Sequence, residues 1–228
     1  MMSTQNTSQS DSWPYFSIII PTFNEAEDIE NTLNTLLALD YWEYEILVVD
    51  DSTDLTPEIV QACSSDRVRY LRQTRGLGRS AARNQGILES IGDIVVVLNA
   101  DVLVPDDFLR RLAHHYRGGT DYVLVDNLVS NTEYLIPRYL NAQHQHYYGP
   151  GTQVEMNWTE GFSCRRSAAI DVGMFPEGEI VPLVAGEDGW FGERLREFGF
   201  RKMIDYSLQI CHVAPVGWRE FFRQRLGR

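Results

Sequence analysis

Acidic, amide and hydroxyl side chains follow three apolar runs of the sequence. Asp51, Ser52 and Asp54 follow the run EILVVD at 45–50, and Asn99 and Asp101 close the run IVVVLNAD at 94–101. The first run, FSIII at 16–20, leads into Pro21, Thr22, Phe23, Asn24 and Glu25. Each of these residues taken singly is typical of a turn or a helix N-cap. Several carboxylates at one place repel each other unless a cation or hydrogen-bond donors offset the charge, so together they predict a divalent metal site.

The elements around these runs predict how the side chains meet. Apolar residues at 29, 33, 36 and 37 recur with a helical period between the first two runs. Thr56 followed by Pro57 predicts a second helix with Thr56 at its N-cap and Pro57 at its first helical position. The alternation continues through VRYLR, a loop and helix over GLGRSAARNQGILESIG that Gly92 closes, DIVVVLNAD, a helix led by Pro105, and TDYVLVDN. This order predicts an α/β fold with helices on both faces of a mostly parallel sheet. Ligands of such folds bind beyond the carboxyl ends of the strands.

The composition is that of a globular chain. Its 228 residues are 43% hydrophobic, enough for one sizeable domain. We expect a disordered tail over 1–14, one domain over 15–215, and a separate basic and aromatic segment over 216–228. Residues 1–12 lack the regions of a signal peptide, and no apolar run approaches the length of a membrane span.

Charge and cysteine content exclude several classes of function. The chain has 20 Lys and Arg against 32 Asp and Glu, and the resulting charge of −12 would repel a nucleic-acid backbone. Cys63, Cys164 and Cys211 are odd in number and far apart, which indicates neither a disulfide framework nor a zinc site. We therefore expect no nucleic-acid partner and a reducing, cytoplasmic location.

Five segments, taken together, resemble family 2 of the inverting glycosyltransferases, which have the GT-A fold. They are PTFNEAEDIENTL, ILVVDDSTD, GLGRSAARNQGI, VLNADVLVP and GEDGWFGERLREFGF, and they span about residues 16–214. Each segment alone is weak, but five in the family's order form a specific signal. The resemblance implies a hexosyltransferase that uses a nucleotide-diphosphate sugar with Mn²⁺ or Mg²⁺. It also implies one in-line displacement at the anomeric carbon by a hydroxyl of a saccharide or lipid-linked acceptor.

The resemblance also implies roles for individual residues. Positions that match those holding the base and ribose are Pro21, Thr22, Phe23, Glu25, Asp51 and Asp54. Arg79, Arg83 and Asn84 match the loop and helix beside the ribose and diphosphate, where guanidinium groups and a helix N-terminus favour phosphate. Solvent-facing arginines on an ordinary helix would give the same pattern.

The catalytic and metal positions follow from the same resemblance. Asp188 matches the general base that takes the acceptor proton, with Glu187 supporting it, although two acids in a first helical turn also favour the helix dipole. Asp101 matches the metal ligand, and His212 resembles a C-terminal histidine that binds metal in some relatives. Asn99 stands where most relatives have Asp, so the site carries one charge fewer. We expect Asn99 to hydrogen-bond to the ribose or to a metal-bound water, and Asn99→Asp to keep or tighten metal binding.

Two other functions are compatible with parts of the sequence. Gly76, Gly78 and Ala81 satisfy G-x-G-x-x-A, with Asp101 about 20 residues further on, as in an NAD-dependent oxidoreductase. That motif follows the third predicted strand rather than the first, and it leaves the other acidic segments unexplained. With Asn99 in place of Asp, the chain is also compatible with a catalytically degenerate nucleotide-binding module.

The end of the chain, VGWREFFRQRLGR, is locally basic. Arg219, Arg223, Arg225 and Arg228 against Glu220 give a local charge of +3. If this segment is helical, its aromatic residues lie beside a basic face, as in helices that bind at a membrane surface. The same aromatic residues could instead close the core of the domain. We therefore expect either core packing or peripheral membrane contact near a lipid-linked acceptor.

Overall fold

The computed structural model describes residues 12–63, 65–73, 77–152, 156–177, 186–219 and 221–222. Within these ranges the strands are β1 (Phe16–Thr22), β2 (Tyr44–Asp50), β3 (Val68–Arg72), β4 (Ile94–Val97), β5 (Val102–Leu103), β6 (Tyr122–Val129), β7 (Phe162–Arg165) and β8 (Lys202–His212). The helices are α1 (Ile29–Leu37), α2 (Thr56–Ala62), α3 (Gly78–Glu89), α4 (Phe108–Arg117), α5 (Leu135–Tyr148), α6 (Arg166–Asp171) and α7 (Glu187–Glu197). The tail expected over 1–14 lies mostly outside the described residues.

The strands form one eight-stranded mixed sheet in the order β3-β2-β1-β4-β7-β6-β8-β5. β1, β2, β3 and β4 run parallel to each other, and β6 runs parallel to β8. β7 lies antiparallel between β4 and β6, and the short β5 pairs antiparallel with β8. The predicted α/β architecture is therefore confirmed, with three antiparallel pairings in a sheet that is otherwise parallel.

Both faces of the sheet are covered by helices, because successive side chains of a strand point to opposite faces. Ile18 and Ile20 of β1 pack in one buried cluster with residues of α1, α2 and α4. Ile19 packs in a second cluster with residues of α3, α6 and α7. α3 approaches β1 closely at Gly86, where an added Cβ would lie 2.3 Å from Ile19 Cγ2. This close contact fixes α3 over the strand that ends at the candidate site.

The register aligns the carboxyl ends of the first three strands. Thr22 lies opposite Asp50, and Asp50 lies opposite Arg72. The buried Asp50 carboxylate accepts hydrogen bonds from Thr22 Oγ1 at 2.8 Å and Tyr70 Oη at 2.9 Å, and it pairs with Arg72 Nη1 at 2.5 Å. Burial alone would raise the pKa of Asp50, but the bonds from Ser52, Thr22 and Tyr70 outweigh burial and lower it. Asp50 therefore holds the strand ends together.

Two helix starts differ from the sequence expectation. α2 begins at Thr56 itself with Leu55 at the N-cap, because the Thr56 hydroxyl donates to Asp54 Oδ1 at 2.6 Å and binds the neighbouring loop. α4 begins three residues after Pro105, because the Phe108 N–H donates to the Pro105 carbonyl in a preceding turn. Among the described residues, none of the helices combines the length and apolarity required to cross a bilayer.

Candidate active site

A cleft of about 1090 Å³ opens at the carboxyl ends of β1, β2 and β4. The loop after β1, the ends of β2 and β4, the start of α3 and the segment after β8 form its walls. Its lining residues are Pro21, Thr22, Phe23, Asn24, Glu25, Ala26, Glu27, Asp28, Asp51, Asp54, Gln73, Gly78, Arg79, Ala82, Asn99, Ala100, Asp101, Val213, Ala214, Pro215 and Val216. The cleft thus contains every residue predicted at the base and ribose, together with Arg79, Asn99 and Asp101.

The loops after β1 and β2 are bonded to each other. Asn24, in the left-handed region at φ 60°, accepts from Thr53 N at 2.9 Å, and its own N–H donates to Ser52 Oγ at 2.7 Å. Asp54 Oδ1 accepts from Thr56 N at 3.0 Å, and Asp54 Oδ2 accepts from Ala26 N at 3.3 Å. Asp54 therefore bonds to the first residue of α2 and borders the cleft at the same time.

Four acids face each other across the cleft wall. Burial raises the pKa of Glu25 to about 7, and the negative charges of Asp101, Asp28 and Asp54 add to this increase. Carboxylate oxygens of this kind suit hard divalent cations. Within the described part of the chain, no three His, Cys, Asp or Glu side chains are already grouped as a complete metal-binding set. A cation here would therefore need ligands from elsewhere, such as diphosphate oxygens.

The pairing of β5 with β8 brings the backbone of His212 near Asp101, although His212 is not among the residues that line the cleft. The register places His212 opposite Val102, the residue after Asp101. His212 Nδ1 lies 2.9 Å from Asn127 Oδ1 on β6. If Nδ1 carries the proton, the Nε2 atom is the ring nitrogen that has the chemistry of a metal ligand.

Glu160 is a site residue that the sequence analysis missed. Its Oε1 accepts from Asn99 Nδ2 at 2.8 Å. Burial raises the pKa of Glu160 to about 7; Arg83 lowers it, while Asp101 and Asp188 raise it further. Glu160 therefore joins the cleft floor to the region of Asp188. It lies in a stretch without regular periodicity, so no sequence signal pointed to it. Gln73, directly after β3, and the segment 213–216, directly after β8, also line the cleft and were not predicted.

The two predicted arginines of α3 have different surroundings. Glu187 Oε1 pairs with Arg83 Nη1 at 3.0 Å and with Arg79 Nε at 3.4 Å. The Arg83 side chain is 1% exposed, and its Cζ lies 5.2 Å from the Trp158 ring centre and 5.0 Å from that of Phe175. Arg79 is 40% exposed and borders the cleft. Arg79 is thus the arginine that can reach a ligand directly, and the nucleotide role of Arg83 stays a prediction.

Asn84 and Asp188 lie outside the lining of the cleft. Asn84 bonds to the backbone of Phe175 in both directions, with Nδ2 donating to the carbonyl at 2.8 Å and Oδ1 accepting from the N–H at 2.9 Å. Asp188 is partly exposed in the first turn of α7, and its Oδ1 accepts from Gly189 N at 2.7 Å. Its nearest link to the cleft is electrostatic, through Glu160 and Arg83.

The predicted NAD fingerprint falls at a different place from the cleft strands. Gly76 lies outside the described residues, and Gly78 begins α3 with φ 79°. The motif follows β3, which is the outermost strand on its side of the sheet. A dinucleotide fingerprint belongs to the first βα turn of its fold, so this position does not support the oxidoreductase alternative.

Known proteins resemble the chain in sequence and in fold. The Glycosyl transferase family 2 profile matches residues 17–178. Glycosyltransferase AglE of Haloferax volcanii is 31% identical over 218 residues, covering 90% of this chain and 69% of AglE. A dolichol-phosphate mannosyltransferase of Pyrococcus furiosus is 39% identical over 111 residues, covering 47% of this chain and 32% of the relative.

Two solved structures have the same fold. The mannosyltransferase PcManGT from Pyrobaculum calidifontis, in complex with GDP-Man and Mn²⁺, gives a TM-score of 0.72 at 22% identity over 95% of this chain. TarS of S. aureus, in complex with UDP-GlcNAc, gives a TM-score of 0.71 at 21% identity over 89% of this chain. The chain spans 61% and 59% of these two structures. The predicted GT-A fold is confirmed, and the chain belongs to glycosyl transferase family 2.

Proposed function

We propose that the chain transfers a hexosyl group from a nucleotide-diphosphate sugar to an acceptor hydroxyl. The transfer would be a single in-line displacement with inversion at the anomeric carbon. One observation carries this proposal: the acid-walled cleft lies at the carboxyl ends of the parallel strands β1, β2 and β4, beside Arg79 and the start of α3. Donor complexes of two proteins with the same fold give further support, since one holds GDP-Man with Mn²⁺ and the other UDP-GlcNAc.

The nucleotide would bind among the first two strand ends. Phe23 is 61% exposed at the cleft and offers a face on which a base can stack. Glu25 and Asp51 would accept hydrogen bonds from the base and ribose, with Pro21, Thr22 and Asp54 shaping the loop. Arg79 would bind the diphosphate, and Arg83 would act indirectly by holding Glu187.

The residues of the cleft fit a divalent cation. Asp101 and His212 would be its protein ligands, with Asn99 beside them, and the neighbouring acids supply the negative potential that favours Mn²⁺ or Mg²⁺. When bound, the cation would stabilise negative charge on the leaving nucleotide diphosphate.

Asp188 would act as the general base. Inversion requires a carboxylate that takes the acceptor proton on the face opposite the leaving group. Glu187 would position Asp188 by tying the first turn of α7 to α3 through Arg79 and Arg83. The proton of the acceptor hydroxyl would thus pass to Asp188 while the acceptor oxygen bonds to the anomeric carbon.

The acceptor would be a saccharide or a lipid-linked acceptor at the cytosolic face of a membrane. Support comes from the dolichol-phosphate mannosyltransferase among the relatives and from the exposed aromatic residues after β8. Trp218 is 60% and Phe222 50% exposed, and they stack on each other with ring centres 6.0 Å apart. This exposure supports peripheral membrane contact through Trp218 and Phe222 over the alternative of core packing, while Glu220, Arg223, Arg225 and Arg228 lie outside the described residues.

A ligand panel tests the proposed function. Thermal unfolding is measured with UDP, GDP, dTDP and NAD, each with and without Mn²⁺; a ligand at 100 times its Kd adds about 2.7 kcal/mol of stability. We expect one nucleoside diphosphate to stabilise the chain more in Mn²⁺ than without it. Stabilisation by NAD alone would favour the oxidoreductase. Nucleotide binding with no turnover of the matching nucleotide sugar would favour the degenerate binding module.

A further inference from the structure

Glu160 is held in place by a tight turn. Phe162 N donates to the Thr159 carbonyl at 3.1 Å, and Gly161 between them has φ 74°. An added Cβ at Gly161 would lie 2.9 Å from Val125 Cγ2, so the turn packs directly on β6. The Thr159 hydroxyl, which is buried, accepts from Val125 N at 3.2 Å. These contacts fix the backbone that presents the Glu160 side chain.

The carboxyl group of Glu160 lies directly behind Asn99 in the wall of the donor cleft, within hydrogen-bond distance of the Asn99 side chain. Asn99, which lines the cleft, donates its side-chain amide to Glu160 Oε1 at 2.8 Å, and its backbone N–H also bonds to this carboxyl group. The positive charge of Arg83, whose guanidinium is paired with Glu187 at 3.0 Å, also acts on the Glu160 carboxyl group. Hydrogen bonds from Asn99 therefore join Glu160 to the cleft lining, and its interaction with Arg83 is electrostatic.

The chemistry of this position favours a hydroxyl ligand. A carboxylate has about four lone-pair positions, more than the bonds from Asn99 use. Glu160 also lies near the negative charges of Asp101 and Asp188, so further hydrogen-bond donors would stabilise it. In the proposed reaction, the transferred sugar must extend from the diphosphate beside Asp101 to the base Asp188. The charges of Asp101 and Asp188 both act on the Glu160 carboxyl group, and the hydroxyl groups of the transferred sugar can donate hydrogen bonds to it.

We propose that Glu160 binds a hydroxyl of the transferred sugar and that Asn99 is its positioning residue. This inference rests on the proposed function. It assigns recognition of the sugar to the Asn99–Glu160 pair and recognition of the nucleotide to the ends of β1 and β2. This role explains why Asn99 stands where most relatives have Asp: the amide group of Asn99 can donate a hydrogen bond to Glu160, and a carboxylate cannot.

The test compares ligands that differ only by the sugar. Affinities of UDP against UDP-GlcNAc, and of GDP against GDP-mannose, are measured with Mn²⁺ for the wild type, Glu160→Gln and Glu160→Ala. Glu58→Gln, on the exposed surface of α2, is the control variant. We expect nucleotide affinity to change less than about twofold. The affinity of the nucleotide sugar relative to its nucleotide should fall about tenfold or more in Glu160→Ala and less in Glu160→Gln, because hydrogen bonds to charged groups are strong.

Each outcome decides between the two proposals. If the wild type binds neither nucleotide, the proposed function and this inference both fail. If it binds a nucleotide but Glu160→Gln, checked by its unfolding temperature to be folded, loses nucleotide and nucleotide-sugar affinity equally, only this inference fails. Unchanged affinities combined with a large loss of kcat would also overturn the inference, since Glu160 would then act on a proton and not on the sugar.

Discussion

Arg83 Nη1 lies 3.0 Å from Glu187 Oε1, and this ion pair joins α3 to the first turn of α7 across 104 residues of sequence. The Arg83 side chain is 1% and the Glu187 side chain 8% exposed. The guanidinium also lies near the ring faces of Trp158 and Phe175. The position of the candidate base Asp188, the next residue along α7, therefore depends on a buried charge pair.

The first prediction follows from this burial. Arg83→Ala should reduce the free energy of unfolding by about 3–5 kcal/mol, because it leaves the Glu187 carboxylate buried without its closest partner. Arg79→Ala, at a side chain that is 40% exposed, should cost less than about 1 kcal/mol. Urea denaturation of both variants measures the difference. Equal, small losses would mean that the Arg83–Glu187 pair does not hold α7.

The different burial of Arg79 and Arg83 could not be predicted from the sequence. Arg79 and Arg83 are four residues apart on one face of α3, so the sequence predicts the same surroundings for both. Their burial differs because the start of α3 projects over the cleft while the next turn is covered by Trp158, Phe175 and Glu187. These three residues are far from α3 in the sequence, and no local sequence pattern predicts such a contact.

The strands and their ends were predictable for a physical reason. Apolar runs such as FSIII and EILVVD, separated by helical periods, leave few alternatives to a parallel sheet, and parallel strands bring their carboxyl ends to one edge. Thr22, Asp51, Asn99 and Asp101 were thus found together from sequence. Glu160 was not, because it belongs to an irregular turn whose position depends on packing against β6.

The second prediction concerns the base. Asp188→Asn should lower kcat by about 10²-fold or more, the usual scale for a lost general base, and leave donor affinity nearly unchanged. Asparagine keeps the size of the side chain and can still accept a bond from Gly189 N, so the fold should persist. Steady-state kinetics combined with donor titration separate the two effects. If donor binding collapses while kcat is preserved, Asp188 has a structural role.

The third prediction exchanges the polarity of the Asn99–Glu160 hydrogen bond. Asn99→Asp alone replaces the donor that lies 2.8 Å from Glu160 Oε1 with a second carboxylate. It should reduce the free energy of unfolding by about 1–3 kcal/mol. Adding Glu160→Gln supplies an amide that can donate to the new carboxylate. The double variant should recover about 1 kcal/mol or more relative to the sum of the single changes. Additive losses in a double-mutant cycle would contradict a direct bond.

The fourth prediction concerns the segment after β8. Trp218→Ser combined with Phe222→Ser should reduce binding to anionic phosphatidylglycerol vesicles at low salt by about tenfold or more, because two exposed aromatic side chains no longer enter the interface. Since both rings are at least half exposed, the unfolding temperature should change little. Co-sedimentation with the vesicles measures the binding. Equal pelleting of wild type and variant would mean that these aromatic residues do not contact the membrane.

The most direct measurement is calorimetric titration of UDP and of GDP into the chain, with and without Mn²⁺, for the wild type and Asp101→Ala. Asp66→Ala, exposed at the opposite, amino end of β3, is the control variant. We expect one nucleotide to bind the wild type and the control at least about tenfold more tightly in Mn²⁺, and Asp101→Ala to lose that dependence. A nucleotide and metal site at these strand ends is contradicted if Mn²⁺ tightens nucleotide binding to Asp101→Ala as much as to the wild type. It is also contradicted if the wild type binds neither nucleotide.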